Sequence, residues 1–450
     1  MTVLAIQEAR LSDSSPRTQN LLRRRPRYAP VGGARTFAVS FGTEEPCFIE
    51  QGRERSYPGL TSSAPSTRSL YAGFAAWLPQ ETRIWDVGCG SGSGTRLLTE
   101  RGHQAVGIDV DETALCFARL AVPDGDFRQL SSDTLKSEPQ PDVVVLVDVL
   151  GFCEEPRRLL WQLRQLAPQA RLLLAEPRAT PGQSLVAPQR QAFSLGSLKQ
   201  ALLRAGYRIE DSTTSGTFIV LSATPADLSA GRAFDRAFRA RSNRAFDRAT
   251  EALEPLALQA HSEISREVHL ELAELYSERM DGEQASANYL SVLKADGNDA
   301  EALSGLAQLT LANGNPQDAL GLALRAVELD PSSASAACSL GLAAERFSTG
   351  DALRAWQLAA NLAPAEPLTL TRLAELASAV GHTELAICAL ERLRLYHADQ
   401  SVDFYVTLAW LLLGVGRTQD AKLEAKVAYA LAPESPEVQQ LQDRFRELSA

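Results

Sequence analysis

The feature that most constrains this chain is an alanine that returns at nearly constant spacing in the C-terminal half. It stands at Ala285, Ala319, Ala352, Ala386 and Ala421, separated by 34, 33, 34 and 35 residues. Seven residues past each lies a small or apolar side chain, Val292, Ala326, Ala359, Leu393 and Ala428. Five further on a helix stop follows, clearest at Pro331, Pro364 and Pro433. Seven residues is about two helical turns, so each pair shares one helix face. The preceding helices carry Leu306-Ala307, Leu340-Gly341, Leu373-Ala374 and Leu408-Ala409, small residues that let antiparallel helices approach closely. Such a chain stacks helix pairs, each burying its apolar face against its neighbours. Glu437 to Ala450 has Val438, Leu441 and Phe445 on one face and polar residues elsewhere, as a capping helix requires.

Between Arg83 and Thr224 the rhythm is different: apolar strands alternate with amphipathic helices, the signature of a parallel sheet covered on both faces. Seven strands are predicted, at Arg83–Val87, Gln104–Asp109, Phe127–Leu130, Asp142–Asp148, Arg171–Glu176, Tyr207–Ser212 and Gly216–Leu221. Helices are predicted at Thr95–Arg101, Glu112–Ala121, Pro156–Leu166 and Leu195–Ala205. Thr213 to Gly216 leaves room only for a tight turn, so the last two strands form a hairpin. A helix over Ser66–Leu78, with Leu70, Phe74 and Leu78 on one face, is expected to cover the first glycine turn.

That turn closes the first strand in Ile84-Trp85-Asp86-Val87-Gly88-Cys89-Gly90-Ser91-Gly92. Glycines at alternate positions allow positive φ and bring backbone N–H groups close to a ligand. The segment resembles motif I of the class I S-adenosylmethionine (SAM) methyltransferases. A dinucleotide fingerprint would need glycine at Ser93, so an NAD-linked oxidoreductase fits less well. An antiparallel seventh strand inserted beside the sixth is what the class I methyltransferase fold has and a simple dinucleotide fold lacks.

The resemblance implies that Gly88, Gly90 and Gly92 line the methionine and ribose of SAM, and that Asp86 helps fix its ammonium group. Asp109, ending Val106-Gly107-Ile108-Asp109, would accept from both ribose hydroxyls, with a cap on the following helix as its plain alternative. Val110 and Asp111 would flank the adenine edge. Asp133 would bond the adenine amino group, unless it is an ordinary loop aspartate. Asp148 ends the fourth strand where this family borders the transferring methyl. Many similar small-molecule O-methyltransferases continue with Glu-His, whereas Gly151-Phe152 stands here, so no histidine base carries over. His103, the only histidine before residue 261, is expected in a surface loop. Asp148 and Glu176 are the candidate catalytic residues, with Glu154 and Glu155 behind them. A dedicated base is dispensable where a sulfonium already makes the methyl electrophilic and alignment does the work. The Asn/Asp-Pro-Pro-Tyr signature of enzymes that methylate nucleobase or amide nitrogen is absent after the fourth strand. Tyr57, Tyr71 and Trp77 are candidates for the acceptor pocket, with core packing as the alternative for the last two.

The C-terminal period resembles tetratricopeptide repeats (TPRs), five units over 266–436. The expected fold is therefore an α/β Rossmann-like seven-stranded methyltransferase domain, last strand antiparallel, followed by an all-α TPR superhelix. The organisation reads as an N-terminal arm or lid over 1–60, a methyltransferase domain over 61–225, a helical linker over 226–265, the repeats, and a cap over 437–450. The linker carries a duplication, Arg232-Ala-Phe-Asp-Arg-Ala237 and Arg244-Ala-Phe-Asp-Arg-Ala249, and reads as a solvated connector or a phosphate-binding stretch.

Charge and cysteine usage set the partners. Of the net −10, Arg266 to Ala450 holds 14 basic against 26 acidic residues, leaving the remainder slightly positive. An acidic repeat half argues against nucleic acid and for a protein partner with a basic surface, or simply a solvated face. The arm's Arg23, Arg24, Arg25 and Arg27 could touch nucleic acid or a membrane surface. No apolar run is long enough to span a bilayer, and no membrane partner is expected. Six scattered cysteines without a Cys-x-x-Cys pair suggest buried free thiols in a cytoplasmic protein, with no metal site. The expected function is a SAM-dependent methyltransferase whose repeats recruit a protein. A non-catalytic TPR adaptor with a degenerate methyltransferase-like half is the alternative.

Overall fold

The computed structural model describes residues 65–129, 139–179, 189–215, 217–226, 228–258, 264–397 and 400–448. The N-terminal arm, Tyr57 and Asp133 lie outside the described residues. Two compact units divide the chain after Gly297.

The first unit opens with helix α1 (Pro65–Trp77), followed by β1 (Arg83–Val87), α2 (Ser93–Glu100), β2 (Gln104–Asp109), α3 (Glu112–Ala121) and β3 (Asp126–Gln129). Then come β4 (Val143–Val147), a 3₁₀ turn (Leu150–Phe152), α4 (Pro156–Leu166), β5 (Arg171–Pro177), α5 (Leu195–Arg204), β6 (Tyr207–Ser215) and β7 (Phe218–Pro225). The sheet order is β3-β2-β1-β4-β5-β7-β6. β1 to β5 run parallel, while β7 is antiparallel to both β5 and β6. The chain reverses direction across the sheet between β1 and β4, which places a crevice at their carboxyl ends.

Strand parity builds two cores. Ile84, Val143, Val145, Val147, Leu173, Ala175, Phe218 and Val220 face Leu70, Tyr71 and Phe74 of α1 and Leu98 of α2. Trp85, Val87, Val144, Leu146, Leu172, Leu174, Ile219 and Leu221 face Leu160 and Trp161 of α4 and Leu198 and Leu202 of α5. Near-continuous apolar strands such as Val143–Val147 are required because both faces are buried. β6 and β7 each run further than their apolar residues indicate. Thr213–Ser215 pair through backbone alone on an edge strand whose side chains are exposed, so hydrophobicity carries no signal there.

The connector is not a solvated strap. Helices α6 (Leu228–Ser242) and α7 (Phe246–Ala257) bury Ala233, Phe234, Ala237, Ala249 and Leu253 against Val268, Leu272 and Leu275 of α8 (Ser265–Glu278). The duplicated Arg-Ala-Phe-Asp-Arg-Ala also differs between copies. Arg244 sits in a left-handed turn and its helix starts at Phe246, whereas the first copy lies wholly within α6. Beneath α8 runs an ionic network. Glu271 accepts from Arg204 at 2.5 Å and Arg157 at 2.9 Å, Glu267 accepts from Arg204 at 3.1 Å, and Arg241 reaches Glu271, Glu274 and Glu278. Glu267, Glu271 and Arg204 are buried. The unit closes with α9 (Gly282–Ala295).

Among its described residues the second unit is all helix: α10 (Ala300–Ala312), α11 (Pro316–Leu329), α12 (Ala334–Ala344), α13 (Thr349–Leu362), α14 (Pro367–Ala379), α15 (Thr383–Tyr396), α16 (Val402–Gly414), α17 (Thr418–Leu431) and α18 (Pro436–Glu447). All five periodic alanines have no exposed surface, and their partners seven residues on are buried too. At Gly341 a Cβ would come within 2.7 Å of the Trp356 ring, which is why only glycine lets α12 and α13 approach there. Asp299, Ser333, Ser348 and Ser401 cap helix N-termini with their side chains. Val438 and Leu441 of α18 are buried against the last pair. Among the described residues no helix is long and apolar enough to cross a membrane.

Candidate functional site

The glycine turn leaves β1 at the sheet's switch point. Gly88, Gly90 and Gly92 have φ of 77°, 54° and 81°, a region that side-chain-bearing residues avoid. A Cβ at Gly88 would lie 2.4 Å from Val149 Cγ2, and one at Gly92 would lie 2.5 Å from the Phe127 ring. Glycine is thus required twice over, by backbone conformation and by space. The turn is tied to β2, since the N–H groups of Gly88 and Cys89 both donate to the Ile108 carbonyl, at 2.7 and 3.2 Å.

Asp109 completes that tie. Its Oδ2 accepts the Gly90 N–H at 2.8 Å and its Oδ1 accepts the Asp111 N–H at 3.0 Å. The carboxylate, half-buried at the tip of β2, is held in place with acceptor capacity left over. Burial raises its pKa against those backbone bonds. The cap of α3 is Asp111, whose Oδ1 accepts the Thr113 N–H at 2.8 Å, so capping does not explain Asp109. Val110 between them is exposed and apolar, suited to cover a flat ring.

Asp86 stands elsewhere than expected. It shares parity with Ile84, and the register therefore sends its side chain under α1 and α2. The Tyr71 hydroxyl donates to its Oδ1 at 2.8 Å and the Thr95 hydroxyl to its Oδ2 at 2.6 Å. It has no exposed surface, which corrects the expectation that it grips an ammonium group directly. Burial pushes its pKa up to about 6, against the two hydroxyl donors.

Asp148 follows β4 with φ 58°, a left-handed backbone unusual for a residue with a side chain. Its carboxylate is half-buried, has no hydrogen-bond donor among the described residues, and is pushed up to about 6 by burial. Glu176, at the end of β5, is fully buried. Its Oε1 accepts the N–H groups of Val149 and Leu150 at 2.8 and 2.7 Å, and its Oε2 that of Gly151 at 3.3 Å. That geometry corrects its candidacy as a catalytic base, because the carboxylate is spent on shaping the loop that carries Asp148. Burial and then Asp148 push it up to about 8, while the three N–H donors pull the other way. Glu154 and Glu155 are exposed beyond the 3₁₀ turn, and Phe152 presents an exposed ring there.

Three further expectations change. His103 is buried, not in a surface loop: its Nε2 faces the Ala75 carbonyl at 3.1 Å and so carries the hydrogen. Trp77 is exposed while Tyr71 lies beneath the glycine turn, so of these two only Tyr71 packs in the core. Cys116 is exposed, unlike the buried Cys89.

The fold is Rossmann-like, with the glycine turn and Asp109 tied together at the carboxyl ends of β1 and β2. The family model of a methyltransferase domain matches residues 64–212. The ubiquinone biosynthesis O-methyltransferase of Stutzerimonas stutzeri is 31% identical over 84 residues, 17% of this chain and 36% of that one. The trans-aconitate 2-methyltransferase of Methylobacterium nodulans is 35% identical over 103 residues, 22% of this chain and 40% of that one. The chain thus spans well under half the length of these curated relatives. Among solved structures, an S-adenosylmethionine-dependent methyltransferase from Mesorhizobium loti aligns at 23% identity and TM-score 0.29, covering 34% of this chain and 96% of that one. Pseudomonas aeruginosa pilF aligns at 17% identity and TM-score 0.39, covering 48% and 97%. The family match covers a third of the chain and implies SAM as the cofactor, while every element described from Leu228 onward is a helix. The positive-φ cradle and the anchored Asp109 fit that cofactor.

Proposed function

We propose that this protein transfers the methyl group of SAM to an acceptor held at the carboxyl ends of β1 and β4, and that its repeats bring a protein partner to the site. The observation that carries the reading is the Asp109 carboxylate anchored on the N–H groups of Gly90 and Asp111, beside a turn where only glycine fits. Asp109 would accept from the ribose hydroxyls, and Gly88, Gly90 and Gly92 would line the methionine and ribose. Val110 would cover adenine, with Asp133 at the adenine amino group. Asp86 acts from below by fixing the turn. SAM supplies an electrophilic methyl on a sulfonium, and the protein's task is to align the acceptor and exclude water.

Asp148 stands beside the transferring methyl in this reading. Its raised pKa, and the absence of donors to it among the described residues, leave its oxygens able to accept the acceptor's proton. The relatives' names include O-methyltransferases, and no Asn/Asp-Pro-Pro-Tyr follows β4, so an oxygen acceptor is favoured. The acidic repeats suit a partner with a basic surface, in a cytoplasmic setting.

Calorimetric titration of the full chain with SAM tests the reading. Asp109→Ala should weaken binding by about 1.5 to 3 kcal/mol through loss of charge-assisted hydrogen bonds. Unchanged affinity would remove Asp109 from the ribose. Absence of any SAM binding by the parent chain would leave the adaptor. Pull-down on the repeats followed by radiolabelled methyl transfer onto the captured material identifies the acceptor.

A further inference from the structure

We infer that Tyr71 is a positioning residue of the cofactor turn, acting through Asp86, and that helix α1 is therefore part of the SAM site. The inference rests on the SAM-binding reading above. Asp86 lies directly beneath the glycine turn with no exposed surface, and its two oxygens each accept one side-chain hydroxyl, from Tyr71 of α1 and Thr95 of α2. The ring of Tyr71 lies against Gly94 at the start of α2, where a Cβ would come within 2.1 Å of its Cζ. Gly94 therefore exists to admit this ring. On the other side, the Thr95 hydroxyl lies where a Cβ on Gly107 of β2 would come within 2.8 Å. The carboxylate is clamped between two helices, and the turn between β1 and α2 has no freedom to tilt while both donors hold it.

A carboxylate without solvent depends on such donors to stay ionised. The groups facing it are Tyr71 from α1, Thr95 from α2, Cys89 in the turn and Asp109 from β2. Burial chiefly, and Asp109 to a lesser degree, raise its pKa, Thr95 and Tyr71 lower it, and the Tyr71 hydroxyl is itself held protonated by burial and by Asp86. Removing the Tyr71 donor must raise the Asp86 pKa further. An ionised Asp86 beneath the turn favours a cationic ligand, so the loss of SAM affinity on acidification should move to higher pH.

The test uses the full chain and SAM itself. Tyr71→Phe keeps the ring on Gly94 and removes only the donor; its fold is checked by near-ultraviolet circular dichroism. It should weaken SAM binding about tenfold at pH 7 and move the acid limb of the affinity–pH profile upward. Thr95→Val removes the other donor and should move the limb the same way, while Thr95→Ser keeps it and should match the parent. If the parent binds SAM but both donor-removing variants keep its affinity and pH profile, Tyr71 is a packing residue and the inference is overturned. Weaker binding with an unmoved acid limb overturns it equally. Failure of the parent to bind SAM is a separate result, which sinks the underlying reading.

Discussion

At the residue scale, conformation and chemistry meet at Asp148. Of the four non-glycine residues with positive φ among the described residues, Glu81, Arg244 and Met280 sit in turns between elements, whereas Asp148 follows a central strand. A left-handed backbone costs such a residue roughly 1 to 2 kcal/mol. Asp148→Gly should therefore raise unfolding stability by about 1 kcal/mol while lowering the methyl-transfer rate; thermal denaturation and single-turnover transfer measure the two. A rate left at the parent value would take Asp148 out of the chemistry. Gly88→Ala pairs the same backbone cost with a clash on Val149, and SAM binding should be lost in a protein less stable by at least about 1 kcal/mol. Alternating glycines announced the turn in the sequence. The neighbours that make them obligatory, Val149 and Phe127, come from the loop after β4 and from β3 respectively, and had no local signal.

At the element scale, the loop after β4 is shaped by a carboxylate on the next strand. Glu176→Ala would leave the N–H groups of Val149, Leu150 and Gly151 unpaired in a buried place, and should cost about 3 kcal/mol or more. Denaturant unfolding would show it, and a loss below about 1 kcal/mol would mean that the loop holds without Glu176. The same elements set a pH dependence. Asp86, Asp148 and Glu176 have pKa values raised to about 6, 6 and 8, so in the folded state they bind protons longer than in the unfolded chain. The stability they contribute is complete below about pH 4 and is lost as pH rises through those values. Glu271 acts oppositely: burial raises it, but Arg204, Arg157 and Arg241 outweigh that and hold it at about 2. Its contribution is present above its ordinary pKa and lost only in strong acid. A cationic ligand favours ionised Asp86 and Asp148, so the SAM-induced gain in melting temperature should be larger at pH 8 than at pH 5. The reverse order would contradict the assigned charges.

At the scale of the whole molecule, the first compact unit runs past the connector. Helix α8, which the sequence groups with the repeats, supplies Glu267 and Glu271 to Arg204 and Arg157 of the methyltransferase helices. It also supplies Val268, Leu272 and Leu275 to the connector's core. A deletion from residue 266 would strand those arginines, and removing one side of a buried ion pair costs about 3 to 5 kcal/mol. Chain 1–265 should therefore melt far below the parent, whereas chain 1–297 should keep SAM affinity and lose partner capture. Equal melting of the two truncations would show that α8 belongs with the repeats alone.

The sequence by itself determined what periodicity can encode: seven strands with their parity, the glycine turn, the acidic tip of β2 and the alanine interval of the helix pairs. These are local patterns, repeated or punctuated, and each follows from how side chains alternate along a strand or a helix. Tertiary structure decided where the ionisable side chains ended up. Asp86 and Glu176 read as open candidates for ligand and proton, yet packing turned both inward, one beneath Tyr71 and Thr95 and the other beneath three backbone N–H groups. Burial of a charge depends on which distant donors arrive around it, and no interval along a chain records that.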